Sequence, residues 1–257
     1  MNLKNEHMRH MVYSNSNPVM TKNFWSTMED TNRMTFEGTM NKIGYLTGVL
    51  LLSAIITSAI ALSSLENLIL VYSLAGIGAI VGFVMVIFIY FTQPENPQTL
   101  MTVYAVVEGI FIGGFSSVME VFFPGLILQA VFGTAILSAV MYGLFASKVI
   151  RPTPTFNKIV YSMVLTIVLL YLISFIMQLF GAQMPFIHSN GPIGIGFSVI
   201  VLAVGGFMLV SDFGFIQSSV QHGAPKKYEW YAAFGLLITL VWIYIEMIRL
   251  IVKLRSD

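Results

Sequence analysis

The stretch LILVYSLAGIGAIVGFVMVIFIYF, which runs from Leu68 to Phe91, contains no charged residue. An α-helix rises about 1.5 Å per residue, so this stretch is long enough to cross a hydrocarbon core about 30 Å thick. A helix also satisfies its own backbone hydrogen bonds, as any lipid-exposed segment must. The stretch therefore predicts a transmembrane helix.

Six further apolar runs of similar length surround this one and are joined by short connections. The seven runs are Ile43–Ser63, Leu68–Phe91, Met101–Phe123, Gly125–Ser147, Ile159–Gly181, Pro192–Phe215 and Trp230–Ile251. The whole chain is 56% hydrophobic and only 10% charged, whereas soluble domains carry about 25% charged residues. The sequence thus predicts an all-α, polytopic membrane protein with seven transmembrane helices.

The polar N-terminal residues differ in composition from everything that follows. Residues 1–42 are predicted to form a cytoplasmic tail, and residues 43–257 a single seven-helix transmembrane domain. Residues 23–42 contain apolar side chains that suit either a short helix at the headgroups or a segment packed on the protein. No short apolar stretch near the start resembles a cleavable signal peptide.

Orientation in the membrane is predicted from the Lys and Arg residues, which are enriched on the cytoplasmic side. Five lie in the N-terminal tail, three in the loop after the fourth span and two after the sixth. The remaining three are Arg249, Lys253 and Arg255 at the C-terminal end. Most of these residues lie on the same side as the N-terminus, which predicts a cytoplasmic N-terminus. The predicted location is the cell (inner) membrane. The basic C-terminal end conflicts with this pattern unless the last segment does not span fully.

Several functional classes are disfavoured by what the sequence lacks. It contains no cysteine, no His-Glu-x-x-His and no nucleotide-binding loop, so thiol chemistry, a zinc protease and active pumping by hydrolysis are not expected. A formal net charge of +1 without a basic stripe disfavours nucleic-acid binding. We therefore expect neither an enzyme nor a bound cofactor.

Ionisable side chains inside predicted spans are the candidate functional residues, because burying a charge in a membrane is costly. Three carboxyl groups qualify, those of Glu108, Asp212 and Glu246, and Arg249 follows Glu246 by three residues. Loss of water disfavours the ionised form of a carboxyl group, so such groups either hold protons or meet a cation. Structural roles are also open: a Glu246–Arg249 pair, a helix cap by Asp212 and a hydrogen-bonded Glu108.

Three stretches of the chain resemble the Bax inhibitor-1 family, also called the transmembrane Bax-inhibitor-motif family. They are YAVVEGIFIG at Tyr104–Gly113, SDFGFI at Ser211–Ile216, and EWYAAFG at Glu229–Gly235 followed by WIYIEMIRL at Trp242–Leu250. The run PKKYEW at Pro225–Trp230 resembles a bacterial branch of that family. The resemblance as a whole covers all seven spans, roughly residues 40–251.

The resemblance implies a fold whose last helix is central and a passive, pH-sensitive calcium leak with calcium as the permeant ion. The family's acidic gate would fall on Asp212 and Glu246, which would also bind calcium transiently, although the family has an aspartate where this chain has Glu246. Glu108 and Arg249 would be accessory intramembrane residues. No arginine matches the family's pore-closing arginine.

Two other functions remain open from the sequence. One is a non-transporting regulator that binds other membrane proteins, such as a membrane protease or a stress factor, through its helices and its tail. The other is a proton-coupled transporter, although no inverted repeat is visible. The expected partners are therefore the lipid bilayer, calcium and, for a regulator, other membrane proteins.

Overall fold

The computed structural model describes residues 33–182, 184 and 189–256, and this part of the chain is all-helical. Its seven helices are α1 (Phe36–Ala61), α2 (Leu65–Thr92), α3 (Gln98–Phe122), α4 (Leu126–Ala146), α5 (Pro154–Leu179), α6 (Pro192–Gln221) and α7 (Tyr228–Arg255). Each is long and apolar enough to cross a membrane. The predicted fold class and number of spans are thus confirmed.

Two helices extend well beyond the predicted apolar runs. α1 begins at Phe36 and not at Ile43, because the side chain of Thr35 caps it by accepting a hydrogen bond from the backbone N–H of Gly38. α6 continues to Gln221, six residues past the predicted end at Phe215. Hydropathy marks the part of a helix that lies in lipid, whereas the helix itself ends at its caps.

α7 occupies the centre of the bundle, as the family resemblance implies. It packs against α6, α1 and α4 and, over a shorter stretch, against α3. α5 packs on α6 and also contacts α7 through the side chain of Tyr171. α2 packs on α1 and α3 at the outside of the bundle. The face of α7 that meets α6 is therefore enclosed by protein.

α7 also runs the full length of the bundle. Just before its start, Lys227 bonds Glu95 in the α2–α3 connection, with Nζ 2.8 Å from each carboxylate oxygen. This hydrogen bond raises the pKa of Lys227 above its ordinary value. At the other end, Arg255 Nη1 donates to the carbonyl of Pro124 in the α3–α4 turn, at 2.9 Å. These two connections lie at opposite ends of α3. The last segment, α7, therefore crosses the bundle as completely as α3 does.

Close packing of α1 on α3 depends on two glycines of α3. A Cβ atom added at Gly109 would lie 2.5 Å from the carbonyl oxygen of Leu50, and one at Gly113 would lie 2.6 Å from that of Ala54. Backbone oxygens cannot move out of the way as a flexible side chain can. Small residues at these two positions thus let the two helix backbones approach closely.

Gly109→Ala is expected to destabilise the protein although alanine favours helix formation. The new methyl group overpacks the α1–α3 contact, which costs about 2 kcal/mol and lowers Tm by roughly 4–8 °C. The matched control is Gly76→Ala on α2, where nothing lies within 4 Å of the added atom. Thermal unfolding in detergent checks both variants, and equal effects at the two positions would contradict the packing argument.

Candidate functional site

A row of polar side chains follows one face of α7. Thr239, Glu246 and Lys253 are each seven residues apart, and seven residues are close to two full helical turns. On α6, Asp212 contacts Thr239, and Ser198 contacts Lys253. These five residues form the polar seam between α6 and α7.

Asp212 forms the first level of the seam, which is the level closest to the start of α7. Its Oδ2 accepts a hydrogen bond of 2.7 Å from the hydroxyl of Thr239. The neighbouring Ser211 donates to Asn157 Oδ1 of α5 at 3.0 Å, so three helices meet here. Because α6 continues for nine residues beyond it, Asp212 lies about 14 Å inside the helix end. The open alternative of a helix cap is therefore wrong.

Glu246 forms the second acidic level and is 2% exposed. Its Oε1 accepts a hydrogen bond from Arg249 Nη1 at 2.9 Å, which confirms the predicted pairing of these two residues. Its Oε2 accepts from the hydroxyl of Tyr171 on α5 at 3.0 Å. The Arg249 guanidinium also lies over the Tyr171 ring, 4.7 Å from its centroid. Glu246, Arg249 and Tyr171 thus form the middle level of the seam together.

Lys253 is the third level of the seam, and the sequence analysis did not single it out as a site residue. Its side chain is buried, and Nζ donates to the carbonyl of Gly194 at 2.9 Å and to Ser198 Oγ at 2.8 Å. The signal was available in the sequence, because polar residues seven apart in an apolar helix share one face. Lys253 therefore belongs to the helix packing and not to a loop, which weakens its conflict with the predicted orientation.

The two acidic levels do not meet in this conformation. Along the axis of α7, about 10 Å separates Glu246 from Thr239, which is the hydrogen-bond partner of Asp212. Between them, Ile243 packs on α6 so closely that a Cβ at Gly205 would lie 2.9 Å from its Cγ1. Calcium binds oxygens at about 2.3–2.6 Å, so one ion cannot touch both carboxyls. No group of three or more His, Asp or Glu side chains able to hold a metal occurs among the described residues.

Glu108 lies apart from the seam, at the contact between α3 and α2. A Cβ at Gly82 of α2 would lie 2.7 Å from Glu108 Oε2. The ring of Tyr104, one turn earlier on α3, lies beside this carboxyl, 3.8 Å from the same Cβ position at Gly82. The Tyr104 ring in turn packs edge-on against Phe234 of α7, with 4.8 Å between centroids. The structure therefore does not bring Glu108 together with Asp212 and Glu246.

Glu229 is a buried carboxyl that the sequence analysis quoted within a motif but assigned no role. It is 0% exposed and accepts hydrogen bonds from the backbone N–H and the hydroxyl of Thr35, at 2.8 and 3.1 Å. It also forms an ion pair with Lys42 of α1. Nearby, the N–H of Met34 donates to the carbonyl of Ala224 at 2.8 Å. These contacts, the Glu229 clamp, hold residues 33–35 against the α6–α7 connection.

The remaining features are the histidines and the predicted N-terminal tail. His222 ends α6, where its Nδ1 lies 2.8 Å from the carbonyl oxygen of Ser218 in the same helix. His7, His10 and His188 lie outside the described residues. Most of the proposed interfacial segment, residues 23–42, also lies outside them, and its last part forms the start of α1.

Comparison with known families gives one match over nearly the whole chain. Residues 17–256 match the family model described as Bax inhibitor 1 like. Comparisons with the curated proteins and with the solved structures found no significant match.

Proposed function

This chain belongs to the Bax inhibitor-1 family, and from that premise we propose that it is a passive, pH-sensitive cation leak channel for calcium. The observation that carries the proposal is the polar seam, which holds two carboxyl groups at different depths between α6 and α7. Carboxylate oxygens are the ligands that calcium prefers. A cation would therefore contact Asp212 and Glu246 in succession.

The seam is closed in two places in this conformation. Between the carboxyls, Ile243 packs against Gly205 and leaves no room for an ion. At the second carboxyl, Arg249 occupies one oxygen of Glu246 and places a positive charge in the path. We propose that opening separates α6 from α7 at Gly205 and releases Arg249 from Glu246. No nucleotide or other energy source is required, and we assign no enzymatic reaction to these residues.

The pH sensitivity is assigned to the two carboxyls, because protonation removes the charge that attracts a cation. Asp212 is faced by Thr239 of α7 and lies near Tyr161 of α5. Glu246 is faced by Tyr171 of α5 and by Arg249, and Lys253 lies one heptad further along α7. The two carboxyls therefore have different neighbours, and each is tested by its own substitution.

Calcium entry into dye-loaded liposomes tests the proposal across about pH 5.5 to 8.5, a range on both sides of neutral. We expect protein-dependent entry that changes with pH. Asp212→Asn and Glu246→Gln should each remove at least about half of the pH-dependent amplitude, because an amide does not ionise in this range. The matched control is Glu95→Gln, which removes a carboxylate that is 81% exposed in a loop. Calcium entry no higher than in empty liposomes at every pH would contradict the proposal.

A non-transporting regulator is the second candidate, and the Glu229 clamp is the observation that favours it. The clamp ties Met34 and Thr35, just before α1, to the α6–α7 connection and the start of α7. A partner that binds the tail and displaces it would thereby also displace the α6–α7 connection and the start of α7. Absence of flux together with co-purification of a membrane protein that requires residues 1–32 would favour this function.

For orientation we propose a multi-pass protein of the cell membrane with a cytoplasmic N-terminus. The end of the bundle that carries the Glu229 clamp and the α6–α7 connection would then face the cytoplasm. Two of the three basic residues at the opposite end are engaged with groups inside the bundle, Arg249 with Glu246 and Lys253 with α6. Exposed loop charges, which set orientation, therefore lie mainly at the cytoplasmic end.

A further inference from the structure

Residues 33–35 form a short extended strap that lies just before α1 and crosses the α6–α7 connection. Arg33 pairs with Pro225 in an isolated antiparallel bridge, and the N–H of Met34 donates to the carbonyl of Ala224 at 2.8 Å. Both neighbours of Met34 in the strap are exposed, whereas Met34 itself is 2% exposed. The strap therefore inserts a single side chain into the protein.

The buried side chain of Met34 lies at the end of the bundle where α6 and α7 are connected. It belongs to one apolar cluster with Ile216 of α6 and with Ala232 and Leu236 of α7. All three of these residues are buried as well. Met34 thus completes the apolar packing between the two helices at this end.

The strap and the polar seam lie on the same face of α7. Glu229, which accepts two hydrogen bonds from Thr35, is followed by Ala232, Leu236 and Thr239 at spacings of three, four and three residues. Residues at these spacings share one face of a helix. Along this face the strap comes first, the apolar residues follow, and the first level of the seam comes last.

An ion that approaches the seam from this end meets the strap before any carboxyl of the seam. Beneath the strap the contact between α6 and α7 is apolar, and about 10 Å of α7 separates Ala232 from Thr239. Ions cross an apolar constriction only when it contains water. The inserted Met34 therefore stands between water and the first level of the seam.

We propose that the strap is a removable cover of the polar seam. With Met34 inserted, water and cations are excluded from Asp212 on the side of the α6–α7 connection, and departure of the strap opens that end. The cover adds to the closures at Ile243 and Arg249, and its effect on calcium entry rests on the proposed function.

The strap can leave without the unfolding of a helix. It precedes the first residue of α1, Phe36. Its backbone meets the α6–α7 connection through a single bridge, which lacks the repeated hydrogen bonds of a sheet. Segments with few buried contacts open locally at a small fraction of the free energy of global unfolding. Displacement of the strap is thus a local event.

Thiol accessibility tests the cover without any assumption about calcium flux. The chain contains no cysteine, so Ala232→Cys supplies a single thiol beneath the strap. A charged methanethiosulfonate reagent, applied to the full-length protein in detergent, measures how often water reaches that thiol. Adding Met34→Ala should accelerate the labelling at least about tenfold, because truncating a buried methionine favours the displaced strap by more than one factor of ten.

Ala105→Cys is the matched control for this measurement. Ala105 is 0% exposed near the same end of the bundle, on α3, but it belongs to a different apolar cluster. Its labelling should not change when Met34→Ala is added. Equal labelling of Ala232→Cys with and without Met34→Ala would overturn the cover. Equal acceleration at both thiols would also overturn it, because it would show a general loosening of the bundle.

A disulfide that holds the strap in place tests its effect on calcium entry. Arg33 and Pro225 are opposite each other in the bridge, and opposite residues of an antiparallel pair have Cα atoms about 4.5–5.5 Å apart, which a disulfide can span. Oxidised Arg33→Cys/Pro225→Cys should admit calcium into liposomes at least about tenfold more slowly than its reduced form, because the crosslinked strap cannot leave. Arg33→Cys alone should not respond to reductant.

The two experiments separate failure of the cover from failure of the proposed function. Equal calcium entry above background in the oxidised and reduced forms would overturn control of the leak by the strap. Calcium entry at background in every variant would instead contradict the proposed function, and thiol accessibility would then decide the cover by itself.

Discussion

Replacing Arg249 by glutamine is expected to raise resting calcium entry into liposomes about tenfold, which corresponds to about 1.4 kcal/mol. Arg249 is the only cation bonded to Glu246 in the described residues, through Nη1 to Oε1 at 2.9 Å. Its side chain is 44% exposed, so it can leave the carboxylate without being buried elsewhere. Without it, Glu246 keeps only the hydrogen bond from Tyr171 and is free to bind a passing cation.

A change in surface charge must be separated from this effect. Arg255→Gln removes the same charge from the same end of α7, but Arg255 contacts the carbonyl of Pro124 and not Glu246. We expect its calcium entry to stay within about twofold of the unmodified protein, as for an exposed charge. Arg249→Lys keeps the positive charge and should give an intermediate flux. Unchanged entry in Arg249→Gln would remove Arg249 from the proposed closure.

Replacing Glu229 by glutamine is expected to lower the stability of the whole protein. The Glu229 carboxylate is fully buried, and the side chain of Lys42 is 17% exposed. Breaking such a pair leaves Lys42 without its counter-ion and weakens the two hydrogen bonds from Thr35. The cost is about 3 kcal/mol, or roughly 6–12 °C in Tm for a chain of this size. Thermal unfolding in detergent measures it.

The chain provides a matched control in its second pair at the same end of the bundle. Glu95→Gln breaks the ion pair with Lys227, but Glu95 is 81% exposed and Lys227 31%. Exposed pairs contribute about 0–1 kcal/mol, so Tm should fall by at most a few degrees. Limited proteolysis near residues 33–38 should accelerate in Glu229→Gln only. Similar losses in both variants would show that the Glu229 clamp is no stronger than a surface pair.

Much of the fold could be predicted because lipid imposes a simple rule on each segment separately. A span must be long, apolar and helical, and each of the seven runs satisfies this rule within its own sequence. The helix ends could not be read in the same way, because polar turns outside the lipid still form helix. Thr35 caps α1 although the apolar run begins only later, and α6 continues to Gln221 although its apolar run has already ended.

The candidate site could be predicted only in part. Glu108, Asp212 and Glu246 stand out because carboxyls are rare inside apolar runs, and the spacing of Glu246 and Arg249 predicts their pairing within one helix. The partners of Asp212 and Glu246 on other helices, Thr239 and Tyr171, had no such signal. They are 27 and 75 positions away in the chain.

The sequence by itself determined that this protein lies in a membrane, that it crosses seven times and that Glu108, Asp212 and Glu246 lie inside its spans. These properties follow from local hydropathy and spacing. Only the tertiary structure decided that Asp212 and Glu246 are on separate levels, that Glu108 faces α2, and that Glu229 holds residues 33–35. The physical reason is that lipid constrains each helix alone, whereas the rotation and depth at which helices meet depend on side chains from several helices at once.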